Sequence, residues 1–117
     1  MATYDNLPVY KTSYDLLQLI SGYINLFSKT YKYALGSRIF EGIIDMISSI
    51  FKANCSHSKM LDIQKAREHI EVVRLLIRLA NDLHQFSLPQ FVQINQLIES
   101  ISKQLTAWER AMKSFTP

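Results

Sequence analysis

Cysteine, glycine and proline are scarce in this chain, and so is any long apolar run. A single cysteine, Cys55, excludes an intrachain disulfide, so the fold must rest on packing, and this usage suits a reducing compartment. Three glycines and three prolines fall mostly near a few breaks, and no strand candidate, internal repeat or low-complexity segment stands out between them. The most apolar run, Leu16 to Phe27, is interrupted by Gln18, Ser21, Gly22 and Asn25. A membrane span needs roughly eighteen uninterrupted residues, so none is expected. Met1-Ala2-Thr3-Tyr4-Asp5 has neither a basic nor an apolar leader region, and no secretory signal is expected. Together these features predict a cytoplasmic protein. The formal charge of +3 is too small for one chain to argue nucleic-acid binding. An oligomer would change that by repeating one basic patch around its axis.

A length of 117 residues fits one domain, read as an N-terminal extension at 1–9 and a single helical unit at 10–117. Apolar spacing of three and four predicts four helices. The first is expected from near Pro8 to about Lys32, with Leu17, Ile20, Ile24, Phe27 and Tyr31 on its stripe. Gly36-Ser37 reads as a stop followed by an N-cap, with Glu41 in the first turn of the next helix. That second helix is expected over about Ser37 to Asn54, with Phe40, Ile43, Ile47 and Ile50 aligned. A polar connection, Asn54 to Ser58, leads to the third helix, Lys59 to Gln85. Ser87-Leu88-Pro89-Gln90 then has the form of a capping box with proline in the first turn, and Phe86 and Phe91 hold the hydrophobic-staple positions. Phe91, Ile94, Ile98, Ile101, Leu105, Trp108, Met112 and Phe115 continue the fourth helix at unbroken three-four spacing. The fold class predicted is all-α, an antiparallel up-down four-helix bundle.

The third helix is the most informative element. One heptad series runs Ile63, Ala66, Ile70, Val73, Ile77, Ala80; a second runs Val72, Leu76, Leu79, Leu83, Phe86, with Leu75 at its edge. Together they span an arc of roughly 200°, about twice what a core-facing surface helix needs. This predicts a face reserved for another chain, with Val72, Leu76, Leu79 and Leu83 as the oligomer interface and part of the first helix beside it. The remaining face is charged: Arg67, Glu71, Arg74, Arg78 and Asp82. These residues can form solvated pairs, Arg67–Glu71 and Arg78–Asp82 at i,i+4 and Glu71–Arg74 at i,i+3. Alternatively, Arg74 and Arg78 point together at phosphates or an acidic partner. Lys29, Lys32, Arg38, Lys52 and Lys59 lie near helix ends and turns. The tyrosines Tyr4, Tyr10, Tyr14, Tyr31 and Tyr33 crowd the first third, where core-edge packing is the commoner fate and base stacking the alternative.

Catalysis and metal binding find little support. His57, His69 and His84 each lack a partner at ligand spacing, and no Glu stands three residues before a His. Cys55-x-His57 is at best a fragment of a metal site, and His69 reads as an interface or core-edge residue. Nothing provides a nucleophile with an oriented base, and Gly36 stands alone without a phosphate loop. No catalytic residue, metal or cofactor is therefore assigned.

The order of several segments resembles a known family. Asn6-Leu7-Pro8-Val9-Tyr10-Lys11, Tyr31-Lys32-Tyr33-Ala34-Leu35-Gly36, the run from Ala66 through Leu79, and Gln90-Phe91-Val92 through Lys103-Gln104-Leu105-Thr106-Ala107-Trp108 look like the bacterial four-helix bundle proteins. That superfamily includes proteins encoded in intervening sequences of 23S ribosomal RNA genes, often labelled ribosomal proteins. It also includes the accessory variability determinant (Avd) proteins of diversity-generating retroelements. Phe51-Lys52-Ala53-Asn54-Cys55 stands where the intervening-sequence branch typically has an Asn-Ile-Ala-Glu-Gly-like stretch, so the pattern is closer to the Avd-like branch. The resemblance implies a homopentameric, basic, barrel-like ring. It also implies binding of nucleic acid and the element's reverse transcriptase, in support of mutagenic copying of template RNA into cDNA. Val73-Arg74 and Arg78-Leu79 match a helix-three pattern whose basic residues are implicated in such contacts. With these, Arg67, Lys29, Lys32 and Arg38 form the candidate nucleic-acid or partner surface. Two other readings stay open: association with ribosomal RNA, and a scaffold that binds only proteins.

Overall fold

The computed structural model describes residues 7–57 and 59–114. Ser58 in the second connection, Phe115 at the end of the apolar series, and Tyr4 with the extension up to residue 6 lie outside the described residues. Four long helices account for the fold: α1 (Pro8–Ile24), α2 (Ser37–Cys55), α3 (Lys59–Asp82) and α4 (Leu88–Ser114). No strand occurs among the described residues, and the molecule measures 50 × 21 × 20 Å. The α2–α3 interface is the most extensive, followed by α3–α4, α1–α4 and α1–α2, so each helix touches two neighbours around one core. None of the described helices is long and apolar enough to cross a membrane.

Buried positions repeat at three and four in every helix. Leu16 and Ile20 come from α1, and Ile39, Ile43, Met46 and Ile50 from α2. All six members of the first α3 series are buried, and α4 adds Ile94, Ile98, Ile101 and Leu105. Each fully buried aliphatic chain contributes about 1.5–3 kcal/mol relative to exposure. Pro8 occupies the first turn of α1, where its missing N–H costs nothing, and Val9 is already in the core. Gly42 lies in the α2–α3 contact, where a Cβ would stand 3.1 Å from Val73 Cγ2. Lys59 donates to the carbonyls of Ala53 and Asn54, both at 3.0 Å, and so closes the C-terminal end of α2 from the start of α3.

The α3–α4 turn follows its sequence signals. Ser87 Oγ accepts from the Gln90 N–H at 3.3 Å, and Gln90 Oε1 accepts from the Ser87 N–H at 2.9 Å, a reciprocal capping box. The helix before it stops at Asp82, three residues short of the expected Gln85. His84 adopts φ 61°, while the Gln85 N–H reaches the Ala80 carbonyl and the His84 N–H reaches Asn81. This left-handed ending satisfies the last carbonyls of α3. Phe86 is therefore not part of the α3 face; it is buried in the turn.

The first connection departs from expectation. Helix α1 ends at Ile24, not near Lys32, and Gly36-Ser37 is neither a stop nor a cap. The chain bends at residues 25–28 and then winds through one α turn (Lys29–Tyr31) and one π turn (Lys32–Gly36) directly into α2. Gly36 has helical angles (φ −58°, ψ −44°), so Glu41 lies well inside a continuous helix rather than in a first turn. Tertiary packing causes the earlier bend. Phe27 turns inward to meet Phe86 edge-on at 5.2 Å, and Tyr23 meets the same ring at 6.4 Å. The Ser28 N–H donates to Gln85 Oε1 at 2.8 Å, tying the bend to the α3–α4 turn. Gly36 is needed because a Cβ there would stand 2.7 Å from Ile24 Cγ2.

Candidate partner and nucleic-acid surfaces

Three surfaces collect the residues singled out by the sequence. The first is the outer side of α3. Val72 (46%), Leu75 (65%) and Leu79 (45%) are exposed, and Leu61 joins them one side of the helix further back. Leu76 and Leu83 are partly buried against the core. These positions share the arc that faces away from the bundle, because the first series occupies the core side. Beside them, between α2 and α3, runs a groove of about 390 Å³ lined by Arg38, Glu41, Gly42, Asp45, His69, Val72 and Leu76. His69 is half-buried at its edge, so the α3 ridge is continuous with a polar trough.

The second surface is the charged face of α3, which turns toward α4. Arg74 Nε–H donates to Glu71 Oε2 at 3.2 Å, and Arg74 Nη1 donates to Glu99 on α4. Arg67 reaches Glu109 on α4 at 2.8 Å, where Lys113 also bonds the same carboxylate at 3.1 Å. The pairs expected within α3, Arg67–Glu71 and Arg78–Asp82, do not form. Carboxylates one helix away compete better for Arg67, and Arg78 makes no ion pair among the described residues. Hydrogen bonding and charge from Arg74 hold the Glu99 carboxyl below its ordinary pKa. Arg67 and then Lys113 do the same for Glu109. Burial opposes the charge of Arg74, but Glu99 and Glu71 outweigh it and raise its pKa. Arg67 and Arg74 thus join α3 to α4, whereas exposed Arg78 projects free charge.

The third surface is the bend between α1 and α2. Lys32 and Tyr33 from the π turn, with Ile24, Asn25, Phe40 and Glu41, line an open groove of about 500 Å³. Lys29 is exposed one turn earlier. Arg38 is exposed too, but it lies around α2 in the neighbouring α2–α3 groove. The structure therefore groups Lys29 with Lys32 and separates both from Arg38, Arg67, Arg74 and Arg78. Tyr33 is 70% exposed, contrary to the core-edge expectation that Tyr10 and Tyr31 fit better. A charge tally by segment reveals the region: between Asp15 and Glu41 there is no carboxylate, and Lys29, Lys32 and Arg38 alone equal the chain's whole excess of +3.

No group of three or more metal-ligating side chains comes together among the described residues. Cys55 is an exposed, free thiol. Architecture and surfaces define an all-helical four-helix protein whose notable features are faces rather than an enclosed pocket. A family model described as bAvd-like matches residues 9–112, nearly all of the chain. The chain belongs to the bAvd-like family. A comparison with curated proteins gave no match.

Proposed function

We propose that this chain is a non-enzymatic, cytoplasmic accessory protein of a diversity-generating retroelement. In this reading it is an antiparallel up-down bundle that assembles into a homo-oligomer, a pentameric ring, and binds nucleic acid and the element's reverse transcriptase. Membership of the bAvd-like family over residues 9–112 carries the reading. The exposed apolar ridge of α3 supports assembly, since Val72, Leu75 and Leu79 stay 46%, 65% and 45% exposed in the single chain. Leu76 and Leu83 complete the interface at its core-side edge. A repeated surface multiplies a small charge: each copy adds +3, so a ring presents a field that one chain lacks. Free cations on each subunit (Arg78, Lys29, Lys32 and Arg38) contact phosphates with little base specificity, while Arg67 and Arg74 maintain the α3–α4 contact.

Light-scattering mass across a salt series, with nucleic acid titrated in parallel, tests the reading. The expected result is a mass of about five chains and binding that weakens steeply as salt rises. Val72→Glu with Leu79→Glu should dissociate the assembly without unfolding it, because both side chains are exposed in the single chain. A monomer that ignores nucleic acid overturns the proposal. A stable oligomer that ignores nucleic acid leaves the protein-only scaffold, and strong preference for structured RNA points to the ribosomal-RNA branch.

A further inference from the structure

We infer that the groove at the α1–α2 bend holds single-stranded nucleic acid, with Tyr33 as the stacking platform and Lys29 and Lys32 as the phosphate contacts. The inference rests on the nucleic-acid reading above and gives it a location. Four observations lead there. The bend lies within the longest stretch without a carboxylate, residues 16–40, and carries two of its three cations, Lys29 and Lys32. Neither Lys29 nor Lys32 forms an ion pair among the described residues, whereas Lys11, Arg67, Arg74 and Lys113 all do. Tyr33 is among the most exposed large side chains in the protein and borders the same groove as Lys32. Finally, the π turn places these side chains: its extra residue per turn widens the helix locally, and such turns are frequent at functional sites.

The chemistry of the groove favours an unpaired strand over a duplex. A base can stack on the phenol ring only if its face is free, and stacking tolerates any base. Lys32 lines the groove beside Tyr33, and Lys29, exposed three residues earlier, is one helical turn away, a spacing that suits neighbouring phosphates. Glu41, also in the lining, repels phosphates locally and can accept hydrogen bonds from base amino groups. Asn25 adds a side chain that can both donate and accept.

The test is fluorescence anisotropy with labelled oligothymidylate across a salt series, on the full chain, with mass and thermal midpoint checked for each variant. Tyr33→Ala should weaken binding roughly tenfold, the effect of one lost stacking contact, while Tyr33→Phe keeps affinity within about twofold. Lys29→Ala with Lys32→Ala should lower the slope of log affinity against log salt by about 1.4 per subunit. Arg38→Ala, around the helix in the other groove, should change the slope by less than either lysine. Duplex of equal length should bind more weakly than the single strand. If the parent protein binds but Tyr33→Ala and the double lysine variant match it in affinity and slope, the location is wrong while the broader reading survives. If those variants keep nucleic acid but lose the reverse transcriptase, the groove is a protein contact and the inference falls. A parent protein that binds only duplex overturns the inference alone, and one that binds neither form removes both readings together.

Discussion

The α1–α2 bend and the α3–α4 turn lie side by side at one end of the molecule, yet they are built on opposite principles. The turn is written locally. Ser87, Pro89 and Gln90 stand within four residues, and Ser87 and Gln90 bond each other reciprocally. The bend is written at a distance. Phe27 turns in because Phe86 receives it, and Ser28 finds its acceptor on Gln85 far along the chain. Local punctuation can be read from residue order, since the partners are neighbours. A bend imposed by tertiary packing cannot, because its partners enter only after the helices assemble.

The largest perturbation should come from Phe86, which serves both regions. Phe86→Ala removes a buried ring that touches Phe27 and Tyr23, and should cost about 3–5 kcal/mol in denaturant unfolding. A cost near 1 kcal/mol would mean that the two connections are independent. Next in size is Gly36→Ala, which isolates the bend. The new Cβ would meet Ile24, whose branched side chain rotates little, for a net loss of about 1–2 kcal/mol after the gain in helix propensity. Gly22→Ala provides the contrast, because nothing lies within 4 Å of its Cβ position. There the midpoint should rise, by about 0.5–1 kcal/mol of stability. Among the destabilising changes the smallest is Ser87→Ala, which isolates the turn and should cost about 1 kcal/mol. If Ser87→Ala exceeded Gly36→Ala, the bend would be the softer connection rather than the more strongly held one.

The same contrast explains what was legible in the sequence. Helices α2, α3 and α4 follow from their three-four spacing, and the core stripes of α3 and α4 fall on expected positions; in α2 the stripe is instead Ile39, Ile43, Met46 and Ile50, with Phe40 exposed and Ile47 only partly buried. The end of α1 does not. Phe27 and Tyr31 continue its periodicity, so spacing alone extends the helix through a place where the backbone turns. Gly36 misleads for a related reason: it reads as a stop, but it is glycine to let Ile24 approach. On the charged face, intrahelical pairs were visible at i,i+4 and the stronger competitors were not. Glu99 and Glu109 become neighbours of Arg74 and Arg67 only when α3 and α4 meet. The exposed ridge at Val72, Leu75 and Leu79 was legible because its arc is too wide, which is a property of one helix.

The π turn between Lys32 and Gly36 has a consequence for variation among related chains. A helix that already contains one surplus residue per turn absorbs a change in length locally, so the flanking turns keep their alignment. Loss of a single residue there would restore ordinary winding while Phe27 and Ile39 stay seated in the core. What would change is the set of side chains over the groove. The bend is thus a place where insertion and deletion, rather than substitution, can retune the surface without disturbing the fold.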